Sequence, residues 1–242
     1  IDVGFPPDLL WIKQRTAATL HNIYDTIRGN DVYLASDEET PERNSGGEGA
    51  SFTANGFSVG NITMVNQADN DFVAWCWKAN DTTVTNNDGT IESQVRAGNG
   101  FSIVTYTNAD LSTVGHGMGV VPKFILTKRL DAVYPWSTYH EALGLNEYVY
   151  LNRDQASTVA LEEWGATPFT TSVFNTSDQV APVGSSMVAY CFAETETSSF
   201  GSYTGNGGAN PIDCGFDPAF VMIKNADNTG NWNIFDRYRG DQ

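Results

Sequence analysis

No run of about 18 consecutive apolar residues occurs in this 242-residue chain, so no segment reads as a membrane-spanning helix. Basic residues are scarce: 13 Lys and Arg face 29 Asp and Glu, for a net charge of −16 at pH 7. Such a surface repels phosphate backbones and anionic headgroups, which excludes nucleic acid and membrane insertion as expected partners. Only three cysteines are present, Cys76, Cys191 and Cys214. Three is too few and too odd for a disulfide framework. There is no Cys-x-x-Cys, and the histidines are limited to His21, His116 and His140, so nothing resembles a zinc site. Helical periodicity is nearly missing too; Gln155 to Glu163 is the best stretch for a short helix. The first residues, Ile1-Asp2-Val3-Gly4, lack a Met and a basic segment followed by an apolar one, and read as a mature or cut end.

Apolar residues make up 40% of the chain and aromatics 12%, which is globular composition. They fall into a repeated pattern. Residues 4–15 read GFPPDLLWIKQR, residues 119–130 GVVPKFILTKRL and residues 215–226 GFDPAFVMIKNA. Gly4, Gly119 and Gly215 recur in register, as do Pro7, Pro122 and Pro218, and Lys13, Lys128 and Lys224. Proline at the entrance and an apolar run before the lysine describe a buried strand. HNIY at 21–24, WSTY at 136–139 and WNIF at 232–235 follow as a second shared element, and Tyr33-Leu34 matches Tyr150-Leu151. FVAWCW at 72–77 and MVAYCF at 187–192 close the pattern, with Pro7 to Cys76 as long as Pro122 to Cys191. GNGFSIVTYT at 98–107 matches FGSYTGN at 200–206 as an opening strand.

The reading is therefore tandem repetition. Residues 1–97 form a first unit lacking its opening strand, 98–197 a complete second unit and 198–242 the first half of a third. The chain starts and stops in mid-unit, so it is expected to be a slice of a longer repeating protein, or an arrangement whose two halves complete each other. About six short strands in each unit of roughly 100 residues, punctuated by Gly, Asn and Asp turns, predict an all-β fold of antiparallel β-sandwich type, jelly-roll or concanavalin A-like.

One family carries these motifs in the same order. Trp75-Cys76-Trp77-Lys78-Ala79, Asn87-Asp88-Gly89-Thr90-Ile91, Gly100 to Thr107 and Val114-Gly115-His116-Gly117-Met118-Gly119 resemble a repeat domain of virion-associated proteins of tailed phages, especially marine and cyanobacterial ones. The resemblance implies a tail-fibre-like protein with a concanavalin A-like (laminin G-like) sandwich. It implies a virion location, contacts with other virion proteins, homo-oligomerisation and no catalytic residues. The expected function is a non-enzymatic module of the phage surface, a tail-fibre or appendage adhesin touching a host-surface glycan. Capsid decoration is one alternative and a carbohydrate-active hydrolase another.

Candidate residues weigh against plainer readings. Cys76 and Cys191 alternate with aromatics on a strand and are expected in the core, along with Trp75, Trp77, Trp136 and Trp232. Trp164, with no counterpart in the other units, is the best candidate for an exposed sugar-binding ring. His116, flanked by glycines, is the second ligand-binding candidate, against a tight-turn explanation. Glu194 with Glu196, Asp37-Glu38-Glu39 and Glu162-Glu163 are read as solvated charge, although a glycosidase would need two such carboxyls across a cleft. No cofactor is expected. Calcium is the one ion that Asn86 to Glu92 and Asn66 to Asp71 offer oxygens to, but neither loop has a full calcium-loop spacing and turn chemistry explains both. Arg239-Gly240-Asp241 reads as a structural turn, because Arg28-Gly29-Asn30 holds the equivalent place.

Overall fold

A strand that is apolar on both sides has two faces to bury, and the layering of this protein meets that need. The computed structural model describes residues 1–239. The strands are, in order, β1 (Leu9–Gln14), β2 (His21–Asp25), β3 (Val32–Ala35), β4 (Arg43–Asn44), β5 (Ala50–Thr53) and β6 (Gly56–Val59). A one-turn helix, α1 (Thr63–Asn66), leads into β7 (Phe72–Trp77). Next come β8 (Val84–Asn86), β9 (Ser93–Ala97), β10 (Phe101–Thr107), β11 (Ser112–Gly115), β12 (Phe124–Arg129), β13 (Ser137–His140) and β14 (Glu147–Tyr150). The rest are β15 (Thr158–Val159), β16 (Val173–Thr176), β17 (Ser186–Phe192), β18 (Phe220–Ile223) and β19 (Asn233–Asp236).

All ladders between these strands are antiparallel. One sheet has the order β4-β3-β2-β1-β7 and a second the order β15-β14-β13-β12-β17-β10-β9-β8. Three two-stranded ribbons accompany them: β5-β6, β11-β16 and β18-β19. Alternation along each strand sorts its side chains into clusters. Leu9, Trp11 and Trp75 of the first sheet meet Phe124, Leu126, Val188 and Tyr190 of the second in a central cluster, which β18-β19 joins through Phe220, Met222, Trp232 and Ile234. The opposite face of the first sheet sends Leu10, Ile12 and Tyr24 against Phe57 of β6 and Val65 of α1. The opposite face of the second sends Ile125, Ala189 and Cys191 against Val114, Trp164, Phe169 and Phe174.

The lysines that end the apolar runs have a structural use. Lys13 Nζ donates to the carbonyls of Ala17 and Thr19 at 3.2 and 2.7 Å. Lys128 Nζ donates to those of Glu39 and Arg129 at 3.2 and 2.7 Å, and Lys224 Nζ to those of Asp154 and Asn225 at 3.3 and 2.8 Å. An ammonium satisfies carbonyls that no ladder reaches, and the apolar stem continues the strand. Lys128 is fully buried, and desolvation pushes its pKa down to about 8. A second recurrent device is the turn after β2 and β19. Asp25 Oδ1 accepts from the N–H groups of Ile27 and Arg28, and its Oδ2 pairs with Arg28 Nε at 2.5 Å. Asp236 does the same with Tyr238 and Arg239. Of the tripeptide read as a turn, Gly240 and Asp241 lie outside the described residues.

Two expectations fail here. Gln155 to Glu163 is not helical: Thr158 and Val159 pair with Tyr148 and Glu147, and turns follow at 161–164. Ser157 N–H is taken by the carbonyl of Ala226, and β-branched Thr158 and Val159 suit a ladder better than a helix. Residues 200–206 form no strand; residues 201–206 are exposed, and Phe200 stacks on Phe124 at 6.0 Å.

Candidate functional site

Where the two sheets and the C-terminal ribbon meet, a groove of about 540 Å³ opens. The first sheet contributes Trp11 and His21, and the loop after β3 contributes Asp37. The segment after β14 supplies Asn152 and Arg153, and the ribbon supplies Trp232.

Hydrogen bonds set each wall. Trp11 Nε1–H donates to His21 Nδ1 at 3.2 Å, so the neutral imidazole carries its proton on Nε2. Burial, with the charges of Lys13 and Arg239 nearby, pushes the His21 pKa down to about 4, and the ring is neutral at pH 7. The His21 N–H donates to Asp37 Oδ1 at 3.0 Å. Burial raises the Asp37 pKa, opposed by that hydrogen bond. Arg153 lies 4.4 Å above the Tyr150 ring, and its Nε donates to Glu39 Oε1 at 2.8 Å. Trp232 Nε1–H donates to the Tyr150 carbonyl at 2.8 Å, and Gly230 N–H to the Asp154 carbonyl at 2.7 Å, which fastens the ribbon to the second sheet. The half-buried Trp232 ring, the guanidinium, a neutral imidazole, a carboxylate and an amide thus share one concavity. Apolar faces ringed by mixed donors and acceptors suit a polyhydroxylated ligand.

The residues singled out from the sequence lie elsewhere. Trp164 is 0% exposed, packed edge-on to Tyr139 at 5.7 Å, so the exposed ring expected there is not found. Asn175 Nδ2–H holds the Trp164 carbonyl at 2.9 Å, and Gly165 takes the left-handed φ of 69° that folds the loop inward. His116 is also 0% exposed, and both ring nitrogens are engaged: Nδ1 accepts from Met118 N–H at 3.3 Å and Nε2 lies 3.2 Å from the Thr170 carbonyl. Its pKa is lowered by burial. Neither residue is open to a ligand.

Trp136 is wholly buried, its Nε1–H on the Ala35 carbonyl at 2.9 Å; Trp75 is buried, while Trp77 and Trp232 are half-buried. Cys191 is fully buried and Cys76 half-buried, and burial pushes their thiols up to about 12 and about 11. Thiols so raised are poor nucleophiles at neutral pH. All three cysteines are free, Cys214 being half-buried. Glu194, Glu196 and Glu162 are exposed. Glu163 corrects the solvated reading of the acidic clusters: it is 2% exposed, and burial raises its pKa to about 7. Among the described residues, no group of three or more His, Cys, Asp or Glu is placed to hold a metal ion.

Sequence reasoning missed His21 and Arg153. One signal was available for His21: it precedes Asn22-Ile23-Tyr24 where Trp136 and Trp232 begin their own elements. Arg153 follows Leu151-Asn152 in a loop whose sequence matches no other stretch of the chain, and gave no signal.

The family described as Domain of unknown function (DUF7483) matches residues 1–242, and the chain belongs to that family. No curated protein and no solved structure matches it.

Proposed function

We propose that this chain is a non-enzymatic module of a phage particle surface, of tail-fibre or appendage type, and that it contacts a host-surface glycan through the groove at Trp232, His21, Asp37 and Arg153. The observation that carries the glycan part is that groove: an aromatic ring and several polar groups converge on one concavity whose walls are fixed by hydrogen bonds. The virion part rests on the motif resemblance and on the stiffness expected of layered antiparallel sheets, which present loops without moving them. A concanavalin A-like sandwich is the arrangement the resemblance implies, and two facing antiparallel sheets support its sandwich character.

Tandem units are part of the same proposal. Their support is a shared register. Leu9 opposes Asp25 in the first sheet, and Phe220 opposes Asp236 in the ribbon, at the same distance from Pro7 and Pro218. Ile125 opposes Tyr139 as Leu10 opposes Tyr24. Ser137 opposes Tyr150 where Asn22 opposes Ala35, so Tyr33-Leu34 corresponds to Tyr148-Val149 rather than to Tyr150-Leu151. The indole of Trp136 donates to the carbonyl of Ala35, and that of Trp232 to the carbonyl of Tyr150, its counterpart.

A glycan array, followed by calorimetry on the best hit, tests the site. Binding in the millimolar to micromolar range is expected, weakened roughly tenfold or more by Trp232→Ala and by Arg153→Ala. Binding that ignores both substitutions, or no binding to any glycan, overturns the groove assignment. Release of new reducing ends from a bound glycan would replace the adhesin by a hydrolase.

A further inference from the structure

The segment between β15 and β16 is a strap laid over the eight-stranded sheet. It joins no ladder, and Leu161, Glu162, Ala166, Thr167 and Pro168 are exposed along its outer edge, Leu161 at 76%. Two side chains turn inward before Phe169: Glu163 at 2% and Trp164 at 0% exposure. A few hydrogen bonds dock the strap on either side. Trp164 N–H donates to the Leu145 carbonyl at 3.2 Å, and Ala160 N–H to that of Asn146 at 2.9 Å. Ser177 Oγ–H donates to the Glu163 carbonyl at 2.8 Å, beside the bond from Asn175 to the Trp164 carbonyl. Glu162 and Gly165 flank the inward pair, with left-handed φ of 64° and 69°. Glycine accepts that region freely, whereas the Cβ of Glu162 does not, so the docked backbone is strained at Glu162.

Both inward side chains leave a polar atom unmatched. Glu163 Oε1 and Trp164 Nε1 are buried without a hydrogen-bond partner, and each gains water if the strap lifts. No cation compensates the carboxyl: among the described residues, no ion pair includes Glu163. From β13 the Ser137 hydroxyl is the donor that eases its charge. From β14 Tyr148 faces it, bonded in turn to Tyr150 and to Thr158 of β15; from the segment before β13 Tyr134 faces it. Burial raises the pKa of Tyr148 and of Tyr134, so both phenols stay neutral while a carboxyl titrates. Arg129 and Asp178 act on Tyr134 with opposite signs, and Arg129 is paired with Asp131 at 2.6 Å. Arg153, over the Tyr150 ring, is paired with Glu39. A carboxylate without a counter-charge is costly to keep at this depth, and burial raises the Glu163 pKa from 4.5 to about 7.

We propose that residues 160–168 are a strap latched by a proton: with Glu163 neutral the strap stays docked, and when Glu163 gives up that proton the segment lifts about Glu162 and Gly165 and carries Glu163 and Trp164 into water. Lifting breaks the bond from Trp164 N–H to Leu145. It uncovers Tyr139, edge-on to the indole at 5.7 Å, and with it Phe169, 4.5 Å from Tyr139. The strap and the strands it packs on all lie within residues 98–197. Opening releases a proton, so the open fraction rises as pH climbs from 4.5 and levels off above about 7. This inference is independent of the glycan reading.

Amide hydrogen exchange of the full chain between pH 5 and pH 8, corrected for the intrinsic pH dependence of exchange, tests the latch. Protection of the Trp164 amide should fall roughly fiftyfold over that range, with most of the loss reached by pH 7. At every pH it should stay far below the protection of Val188 in the middle of β17, because the strap opens while the sheet stays closed. Glu163→Gln keeps the side-chain shape and removes the charge. In that variant the Trp164 protection should be high and flat across the same range. Protection of Trp164 that is equal at pH 5 and pH 8, a slope that persists in Glu163→Gln, or equal protection of Trp164 and Val188 each overturns the inference.

Discussion

FVAWCW and MVAYCF are nearly one strand, yet one is an edge and the other is the interior of a sheet. On both strands the cysteine points away from the central cluster and its aromatic neighbours point into it. The difference lies in the next strand over. β10 covers the side of β17 that would otherwise be open, and Cys191 is 0% exposed; among the described residues β7 has no such neighbour, and Cys76 is half-buried. Burial of a strand residue is thus a property of the ladder around it as much as of its own chemistry.

The contrast between enclosed and open surroundings breaks hardest at the aspartate turns. Asp25 and Arg28 are 0% and 3% exposed, and Tyr190 O–H donates to Asp25 Oδ2 at 2.7 Å. The equivalent Asp236 and Arg239 are 4% and 29% exposed, with Arg239 over the Trp75 ring at 5.4 Å. Asp25→Ala strands a buried guanidinium and should cost about 3–5 kcal/mol in denaturant unfolding. Asp236→Ala should cost about 1 kcal/mol, because water reaches its arginine. Equal losses would show that the two turns are not in different environments.

Glu163 sharpens the comparison by pH. It lies in the layer over the eight-stranded sheet, where burial lifts its pKa from 4.5 to about 7. Between those values the folded protein holds a proton that the unfolded chain releases, so the contribution is present below pH 4.5 and lost as pH rises through 7. Glu163→Gln should stabilise the protein by about 2 kcal/mol at pH 8 and change little at pH 4.5. A difference that is the same at both pH values would mean the carboxyl is solvated. His21 titrates with the opposite sign: its depressed pKa favours the folded state as pH rises from about 4 to 6.5, so the two slopes partly cancel between pH 4.5 and 6.5.

The smallest effect belongs to the thiols. Cys191→Ser places a hydroxyl between buried strands and should cost about 1–2 kcal/mol, whereas Cys76→Ser should cost under about 0.5 kcal/mol. A thiol reagent should modify Cys214 and Cys76 in the native protein and Cys191 only on unfolding. Equal modification rates for Cys76 and Cys191 would erase the distinction between the two strands.

Much of the fold was legible because local chemistry and tertiary role agree. Proline at an entrance, an apolar run and a closing lysine mark β1, β12 and β18, and the alternation around Cys76 and Cys191 marks β7 and β17. The candidate site was far less legible. Trp164 looked exposed because it stands alone beside two glutamates, but Asn175 on β16, 11 residues on, holds its carbonyl and the loop lies in the core along with Glu163. His116 looked functional because glycines flank it, yet its nitrogens serve the chain around Thr170 and Met118.

The amino-acid sequence by itself determined that the chain is all-β, where its principal strands lie and that Cys76 and Cys191 sit on matched strands, since periodicity and turn chemistry act over a few residues. Only the tertiary structure decided which matched strand is enclosed, which tryptophan is reachable and which residues share a groove. His21, Arg153 and Trp232 are brought together by contacts spanning more than half the chain, and β17 is enclosed by β10, a strand some 80 residues earlier in sequence.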